Sequence, residues 1–370
     1  MNFIVTCKIG LESLVARELR ERQIEVSSVE DARVCFSGDY SAMAEACLWL
    51  RTAERVLLVM ESFPARSFDE LFEGAKRVEW KRVLAKDANI HVNGKSAKSA
   101  LFSVSDCQSI VKKAIVENLK AAYHVQTLPE TGKEVIIEVG LFKDQATLAL
   151  DCCGAGLSRR GYRTFNVPAP ISETLGAAIV LLSRWKHEEP LIDPMCGSGT
   201  MPIEAAMQAL NIAPGRNRAF AAEDWPFLPE SCFKTARAAA EDAIRRDLQL
   251  QILGSDIDAH AIELCKKHAK KAGIMVNWAV RPLAELTSEA QEGVIVCNPP
   301  YGERMLEKKD AEALYRQMRT VFSSLPAWRV NIISSHPRFE QIYGKRADKR
   351  RKLSNGGLSC TLYQYFKNLT

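Results

Sequence analysis

Asn298-Pro299-Pro300-Tyr301 follows directly on the apolar run Val294-Ile295-Val296-Cys297. An exocyclic amine on a nucleobase is a poor nucleophile, because its lone pair is delocalised into the ring. An enzyme that alkylates it must hold the amine with acceptors, so that the lone pair localises and points at the donor. The Asn298 side-chain oxygen and the Pro299 carbonyl supply two such acceptors. The pair Pro299 and Pro300 fixes φ and stiffens the loop, which preorganises those acceptors. Tyr301 offers a flat face on which an extruded base can stack. A Pro-Pro loop with a packing aromatic would look the same in isolation, so a second motif has to decide.

That motif is Leu191-Ile192-Asp193-Pro194-Met195-Cys196-Gly197-Ser198-Gly199-Thr200. A short apolar run enters an acid, then a loop with two glycines, then a helical stretch from Met201 to Leu210. Glycines let a backbone approach a ligand closely, and a helix start offers free N–H groups. The segment lacks the Gly-Lys-Ser/Thr end of a phosphate loop. It also lacks the third glycine of the dinucleotide fingerprint. An acid before the loop disfavours a polyanion and suits a cationic ligand such as S-adenosylmethionine. Further on, Gln251 to Ser255 leads into Asp256-Ile257-Asp258, which places Asp256 at a strand's carboxyl end, where an acid suits ribose hydroxyls. Asp258 reads as the N-cap of a helix from Ala259 to Ala272.

As an ordered set these segments resemble a class I S-adenosylmethionine-dependent methyltransferase of the amino-methylating type. More narrowly, Asp193 to Thr200 with Asn298 to Arg304 resembles the THUMP-domain guanine-N2-methyltransferases, a family that includes the enzyme of large-subunit (23S) rRNA. The block Leu157-Ser158-Arg159-Arg160-Gly161-Tyr162-Arg163, followed by Ala169-Pro170-Ile171, agrees with it. The resemblance spans essentially the whole chain. It implies S-adenosyl-L-methionine as cofactor, S-adenosyl-L-homocysteine as product, and Asp193 to Thr200, Asp256 and Ile257 as the cofactor-binding residues. Asn298, Pro299, Pro300 and Tyr301 become the catalytic loop. The family usually carries an acid after the third strand, to meet the cofactor's adenine. Pro282 stands there instead, and proline neither accepts through a side chain nor donates an N–H.

The elements that must position these residues follow from pattern. At 370 residues, two or three domains are expected. The first part alternates strand and helix, which suggests a ferredoxin-like unit over 1–65. Residues 66–154 resemble a THUMP RNA-binding domain, and 155–170 are Gly-, Arg- and Pro-rich and read as a linker. From 171 to 370 short continuous apolar runs alternate with helices, the look of parallel strands buried on both faces. The end, Arg350 to Leu353, Asn355-Gly356-Gly357 and Leu358 to Phe366, reads as an antiparallel hairpin. The fold class expected is α/β: a Rossmann-like, mostly parallel sheet preceded by α+β domains.

Composition bounds the rest. Hydrophobic content of 47% with 26% charged residues is that of a globular protein, and no run reaches transmembrane length. The start lacks a basic n-region and a long apolar core, so no signal peptide is expected. Eleven scattered cysteines without a Cys-x-x-Cys pair suit a reducing cytoplasm, with Cys152 and Cys153 expected on opposite faces of a strand. Six histidines without metal spacing predict no metal. Net charge is +5, compatible with RNA, and its distribution suggests a phosphate track. The expected RNA contacts are Arg159, Arg160, Tyr162 and Arg163; Lys112 and Lys113; and Lys349, Arg350, Arg351 and Lys352. The reading is an RNA methyltransferase acting on structured RNA, rRNA before tRNA. Adenine-N6 methylation and a non-catalytic assembly factor are the alternatives, and the sequence does not speak to oligomeric state.

Overall fold

The computed structural model describes residues 1–163, 171–301 and 305–366, without the side chains of 305–308. The chain divides into two compact units. The first comprises Met1–Cys7, Val15–Leu157 and Arg218–Ala238; the second comprises Lys8–Leu14, Ser158–Asn217 and Ala239–Thr370.

The elements up to the linker are β1 (Asn2–Cys7), α1 (Glu12–Glu21), β2 (Glu25–Glu30), β3 (Arg33–Ser37), α2 (Tyr40–Trp49), β4 (Ala53–Pro64), α3 (Phe68–Arg77), β5 (Asn89–Ala97), α4 (Val104–Tyr123), β6 (Glu134–Phe142) and β7 (Gln145–Asp151). Asp39 and Ser67 cap α2 and α3 through side chains that accept from Ala42 and Glu70. The seven strands form one sheet in the order β2-β3-β1-β4-β7-β6-β5, so the segments before and after residue 65 share it. Register puts the apolar side chains on one face. Val5 pairs with Val34 and Val56, Leu58 with Leu150, Leu150 with Ile137, and Ile137 with Val92. The alternate residues, Thr6, Arg33, Arg55, Leu57, Glu138, Asn93 and Lys95, point to the other face. Cys152 and Cys153 lie just past the end of β7 rather than within a strand, and both are buried free thiols.

Residues 218–238, expected in the catalytic half, belong to the first unit. The Arg218 guanidinium donates to the carbonyls of Cys153, Ala155 and Gly156, and the Cys232 thiol donates to Tyr40 O.

The remaining elements are α5 (Glu173–Leu182), β8 (Leu191–Asp193), α6 (Thr200–Ala209), α7 (Ser231–Asp242), β9 (Ile252–Asp256), α8 (Ala259–Ala272), β10 (Asn277–Val280), β11 (Val294–Cys297), α9 (Met305–Ser323), β12 (Arg329–Ser334), α10 (Phe339–Tyr343), β13 (Lys349–Asn355) and β14 (Leu358–Tyr365). The second sheet runs β10-β9-β8-β11-β12-β14-β13. Its strands are parallel from β10 to β12, and β14 and β13 add an antiparallel hairpin. β8 and β11 are buried at every position, which explains their uninterrupted apolar runs. β10 is only half-buried, because it is the edge strand.

Candidate active site

The strand order of the second sheet sets β8 between β9 and β11, so the three loops that follow them emerge side by side. Ligands in such sheets bind at the carboxyl ends of the strands. Asp193 closes β8, Asp256 closes β9, and Asn298 follows β11. One cavity of about 940 Å³ gathers all three. Asp193 to Ser198, Thr200, Asp256, Ile257 and Asn298 to Tyr301 line it, together with Pro282, Leu283, Asn355, Gly356 and Leu358.

The glycine loop is built around two left-handed residues. Gly197 has φ of +51°, and a Cβ there would meet nothing within 4 Å, so its open side belongs to the cavity. Gly199 has φ of +81° and caps α6, and a Cβ there would sit 2.7 Å from the Trp278 ring. The first glycine leaves room for a ligand, whereas the second is required by packing. Gly199 accordingly lies behind the cavity wall, unlike its neighbours.

Asp256 does more than face a ligand. Its Oδ2 accepts from the Gly197 N–H at 2.9 Å and its Oδ1 from the Asp258 N–H at 3.0 Å. It therefore ties the loop after β8 to the end of β9. Asp258 caps α8 by accepting from His260, and that helix runs from Ala259 to Ala272 as the sequence predicts.

Asp193 is 1% exposed. Its Oδ1 accepts from the Met195 N–H at 3.3 Å, while the buried Oδ2 has no partner. Burial, with the Asp256 carboxylate nearby, pushes its carboxyl well above the usual carboxylate range. An unpartnered buried carboxyl oxygen at a cavity wall keeps the capacity to accept a hydrogen bond.

Two braces escaped the sequence reading. On α8, the Cys265 thiol donates to the Gly197 carbonyl at 3.1 Å, and His268 Nδ1 lies 3.1 Å from the Ser198 carbonyl. His268 is fully buried, and burial pulls its pKa down. A neutral ring with its proton on Nδ1 satisfies that carbonyl. The two residues are three apart on a helix, hence on one face, which is the only signal the sequence carried.

The catalytic loop has an internal hydrogen-bond chain. Tyr301 donates its hydroxyl to Asn298 Oδ1 at 2.6 Å. Asn355 Nδ2 donates to the Tyr301 oxygen at 3.4 Å, and the Cys360 thiol approaches the same atom at 3.9 Å. Both come from the final hairpin, which thereby forms a wall of the site. Tyr315 fixes the loop from behind by donating to Pro300 O at 2.9 Å. Burial raises the Tyr301 phenol far above its ordinary value, so the hydroxyl keeps its proton. The segment Gly302-Glu303-Arg304 lies outside the described residues, as do residues 164–170 of the linker.

Three of the four linker residues expected at RNA do structural work instead. Arg160 and Tyr162 are 3% exposed. Arg160 pairs with the buried Glu204 at 3.5 Å, and Tyr162 donates to the same carboxylate at 3.1 Å. Arg163 donates to Ile171 O and Thr200 Oγ1 and pairs with Glu173. A compact Arg-Arg-Gly-Tyr-Arg run resembles a phosphate site, but the buried Glu204 of α6 claims Arg160 and Tyr162, and Glu173 of α5 claims Arg163. Only Arg159 is exposed. Elsewhere Lys112 pairs with Glu130, and Lys113 lies 5.7 Å from the Phe72 ring. Lys349 to Lys352 form the outer half of β13, with Arg350 paired to Glu340 and Arg351 donating to Gly10 O.

Among the described residues no cluster of His, Cys, Asp or Glu could hold a metal ion. No helix among them is long and apolar enough to cross a membrane.

Known proteins match along the whole chain. Residues 160–364 match an RMKL-like methyltransferase domain, residues 2–57 an RlmL ferredoxin-like domain, and residues 65–151 a THUMP domain. A Bacillus subtilis protein named "Putative RNA methyltransferase YpsC" is 43% identical over 100% of this chain and 96% of its own length. The ribosomal RNA large subunit methyltransferase K/L of Psychromonas ingrahamii is 33% identical over 98% of this chain, which spans only 50% of that protein. The solved structure named "SMU.472, a putative methyltransferase complexed with SAH" superposes with a TM-score of 0.92 at 41% identity, covering 100% of this chain and 98% of the other. With the glycine loop, the Asn-Pro-Pro-Tyr loop and a THUMP domain in one chain, this protein belongs to the family of RMKL-like methyltransferases.

Proposed function

We propose that the chain is an S-adenosylmethionine-dependent RNA methyltransferase that modifies the exocyclic N2 amine of a guanine in large-subunit rRNA. The observation that carries this reading is the single cavity shared by the orphaned Asp193 oxygen and the Asn298–Tyr301 loop. The residues present fit the cofactor. Asp193 Oδ2 is a free acceptor for an ammonium group, Gly197 leaves its side of the loop open, and Asp256 stands one strand over with lone pairs for hydroxyls. Pro282 and Leu283 supply an apolar wall in place of the expected acid. When bound, the cofactor supplies an activated methyl group.

The chain's own part is positioning and electrostatics. The Asn298 carbonyl oxygen and the Pro299 carbonyl hold the base amine, and Tyr301 presents its ring to the flipped base. An asparagine amide serves this purpose only with its oxygen toward the amine. The hydrogen bonds from the hairpin support that orientation. Asn355 and Cys360 give their hydrogens to the Tyr301 oxygen, so the Tyr301 hydrogen goes to Asn298 Oδ1. The oxygen retains a second lone pair for the substrate. Among the described residues no acid or histidine is hydrogen-bonded to Asn298, and the proton leaves once the amine has become cationic.

The test is a methylation assay with labelled cofactor on large-subunit rRNA and, in parallel, tRNA, followed by nucleoside analysis by mass spectrometry. N2-methylguanosine in the rRNA is the expected product. N6-methyladenosine would move the base assignment, a methylated tRNA would move the substrate, and no product with either RNA would leave a binding protein.

A further inference from the structure

We infer that Cys196 and Cys265 are an oxidant-sensitive thiol pair, and that a disulfide between them, made by hydrogen peroxide, disables the cofactor loop. The inference rests on the reading of Asp193 to Thr200 as the seat of the cofactor and adds a modification site to it.

Cys196 belongs to the glycine loop after β8, and Cys265 projects from α8. Their sulfurs lie 3.8 Å apart, in contact but unbonded. The two thiols differ in access. Cys196 lines the cavity of about 940 Å³, whereas Cys265 is fully buried. A small reagent that enters the cavity therefore meets Cys196 first. Ile262 and Trp278 complete the apolar cluster around the pair.

The hydrogen bonds give each sulfur a part. Cys265 directs its hydrogen to the Gly197 carbonyl at 3.1 Å, which leaves its lone pairs for Cys196. In the first step the Cys196 sulfur attacks one oxygen of the peroxide. The O–O bond breaks, Cys196 is oxidised to a sulfenic acid, and the peroxide is reduced and leaves as water. In the second step the Cys265 sulfur attacks the Cys196 sulfur. The S–S bond forms as the S–O bond breaks, and the departing hydroxide takes the Cys265 proton to give a second water. A sulfenic acid beside a thiol condenses in this way. Two thiols and one peroxide thus give one disulfide and two waters.

The product strains the loop. A disulfide holds its sulfurs about 2.0 Å apart, so α8 and the loop must draw together from the 3.8 Å of the thiol pair. The Gly197 carbonyl loses its donor at the same time. Cys196 is pinned by its neighbours: its N–H donates to Ser255 O at 3.0 Å, and its carbonyl accepts from the Gly199 N–H at 2.8 Å. The displacement passes to Gly197, whose N–H is bonded to Asp256. These are the residues offered to the cofactor. The contact with Cys265, together with burial, raises the Cys196 thiol well above its ordinary value. Only a thiolate attacks readily, so the pair reacts slowly at neutral pH and faster as pH rises. A ligand in the cavity covers Cys196, so the cofactor protects its own loop.

The experiment treats the reduced full chain with hydrogen peroxide, alkylates the remaining thiols under denaturing conditions, and maps peptides by mass spectrometry without reductant. The Cys196 and Cys265 peptides should appear joined, and dithiothreitol should release them. By calorimetry the oxidised chain should bind S-adenosylhomocysteine roughly 3- to 10-fold more weakly, the worth of a lost hydrogen bond, and dithiothreitol should restore it. Saturating S-adenosylhomocysteine during the treatment should slow the linkage, and alkaline pH should speed it. Cys265→Ser keeps a donor for the Gly197 carbonyl but removes the resolving sulfur, so dimedone should trap a sulfenic acid on Cys196 there. The wild-type peptide map stands whether or not that variant folds. Cys196 and Cys265 both recovered as alkylated thiols would overturn the proposal, as would equal affinity of the oxidised and reduced chains or a linkage that forms equally fast with the cavity filled. A reduced chain that binds no S-adenosylhomocysteine overturns the cofactor reading instead, while the peptide map still decides the thiol pair.

Discussion

The two seven-stranded sheets carry their polar groups in different ways, and the difference decides what a sequence reveals. In the second sheet the groups sit in loops at the ends of adjacent parallel strands, so each loop is a contiguous word: Asp193 to Thr200, Asp256-Ile257, Asn298 to Tyr301. In the first sheet they sit on a face. Thr6, Arg33, Arg55, Asn93, Lys95, Glu138 and Phe142 are alternate residues of five strands, separated by apolar residues of the other face. No stretch of sequence spells that set. Contiguity can also mislead, as the Arg159–Arg163 run shows.

The largest expected effect breaks that run. Arg160→Ala leaves Glu204 buried without its guanidinium, a loss of about 3–5 kcal/mol in stability. Chemical denaturation should show it, with RNA affinity of the folded fraction unchanged. A stable Arg160→Ala chain that binds RNA poorly would restore the linker as an RNA contact.

Next comes the acceptor loop. Asn298→Ala should lower kcat by roughly 10²–10³ with cofactor affinity retained. Tyr301→Phe keeps the ring but cuts the chain from Asn355 to Asn298. Asn355→Ala should therefore reduce kcat in the wild type and have little further effect on the Tyr301→Phe background. Additive losses in that double-mutant cycle would show the hairpin acting by another route.

Asp193 sharpens the contrast between stability and function. A carboxyl whose folded pKa is raised binds its proton more tightly in the folded state. Its contribution is therefore present at low pH and is lost as pH rises above the unfolded value. Asp193→Asn removes that liability, so the ligand-free variant should be at least as stable as wild type at pH 8. Its cofactor affinity should fall by an amount corresponding to roughly 1.5–3 kcal/mol, the worth of a hydrogen bond to a charged group. Thermal midpoints with and without S-adenosylhomocysteine measure both signs at once; unchanged ligand-induced stabilisation would remove Asp193 from the cofactor site.

How much was legible follows from the same distinction. The α8 boundaries and its Asp258 cap were readable because capping is local chemistry, as were the terminal hairpin and the buried parallel strands. The three site loops were readable as motifs. Three things were not. The role of Asn355 and Cys360 depends on β14 folding back beside β12, a pairing more than twenty-five residues distant. The bracing of the glycine loop by Cys265 and His268 needs α8 laid against it. Residues 218–238 join the first unit through guanidinium-to-carbonyl bonds that leave no periodic trace.

The smallest expected effect concerns β13, where the sequence predicts four equivalent phosphate contacts. The structure separates them. Arg350 is bonded to Glu340 at 2.9 Å and Arg351 to Gly10 O at 2.7 Å, whereas Lys349 and Lys352 are exposed and make no ion pair among the described residues. A guanidinium already held by a carboxylate gives up that bond to meet a phosphate, so it adds little net affinity. Lys349→Ala with Lys352→Ala should thus capture most of the effect of neutralising all four. If both lysines meet phosphates, the log–log salt slope of RNA binding falls by roughly 1.4–1.8. Adding Arg350→Ala should change it little, and adding Arg351→Ala should cost stability rather than slope, since it releases the Gly10 turn. A slope equal to wild type in the double lysine variant would make this strand edge a solvated one and remove it from the RNA contacts.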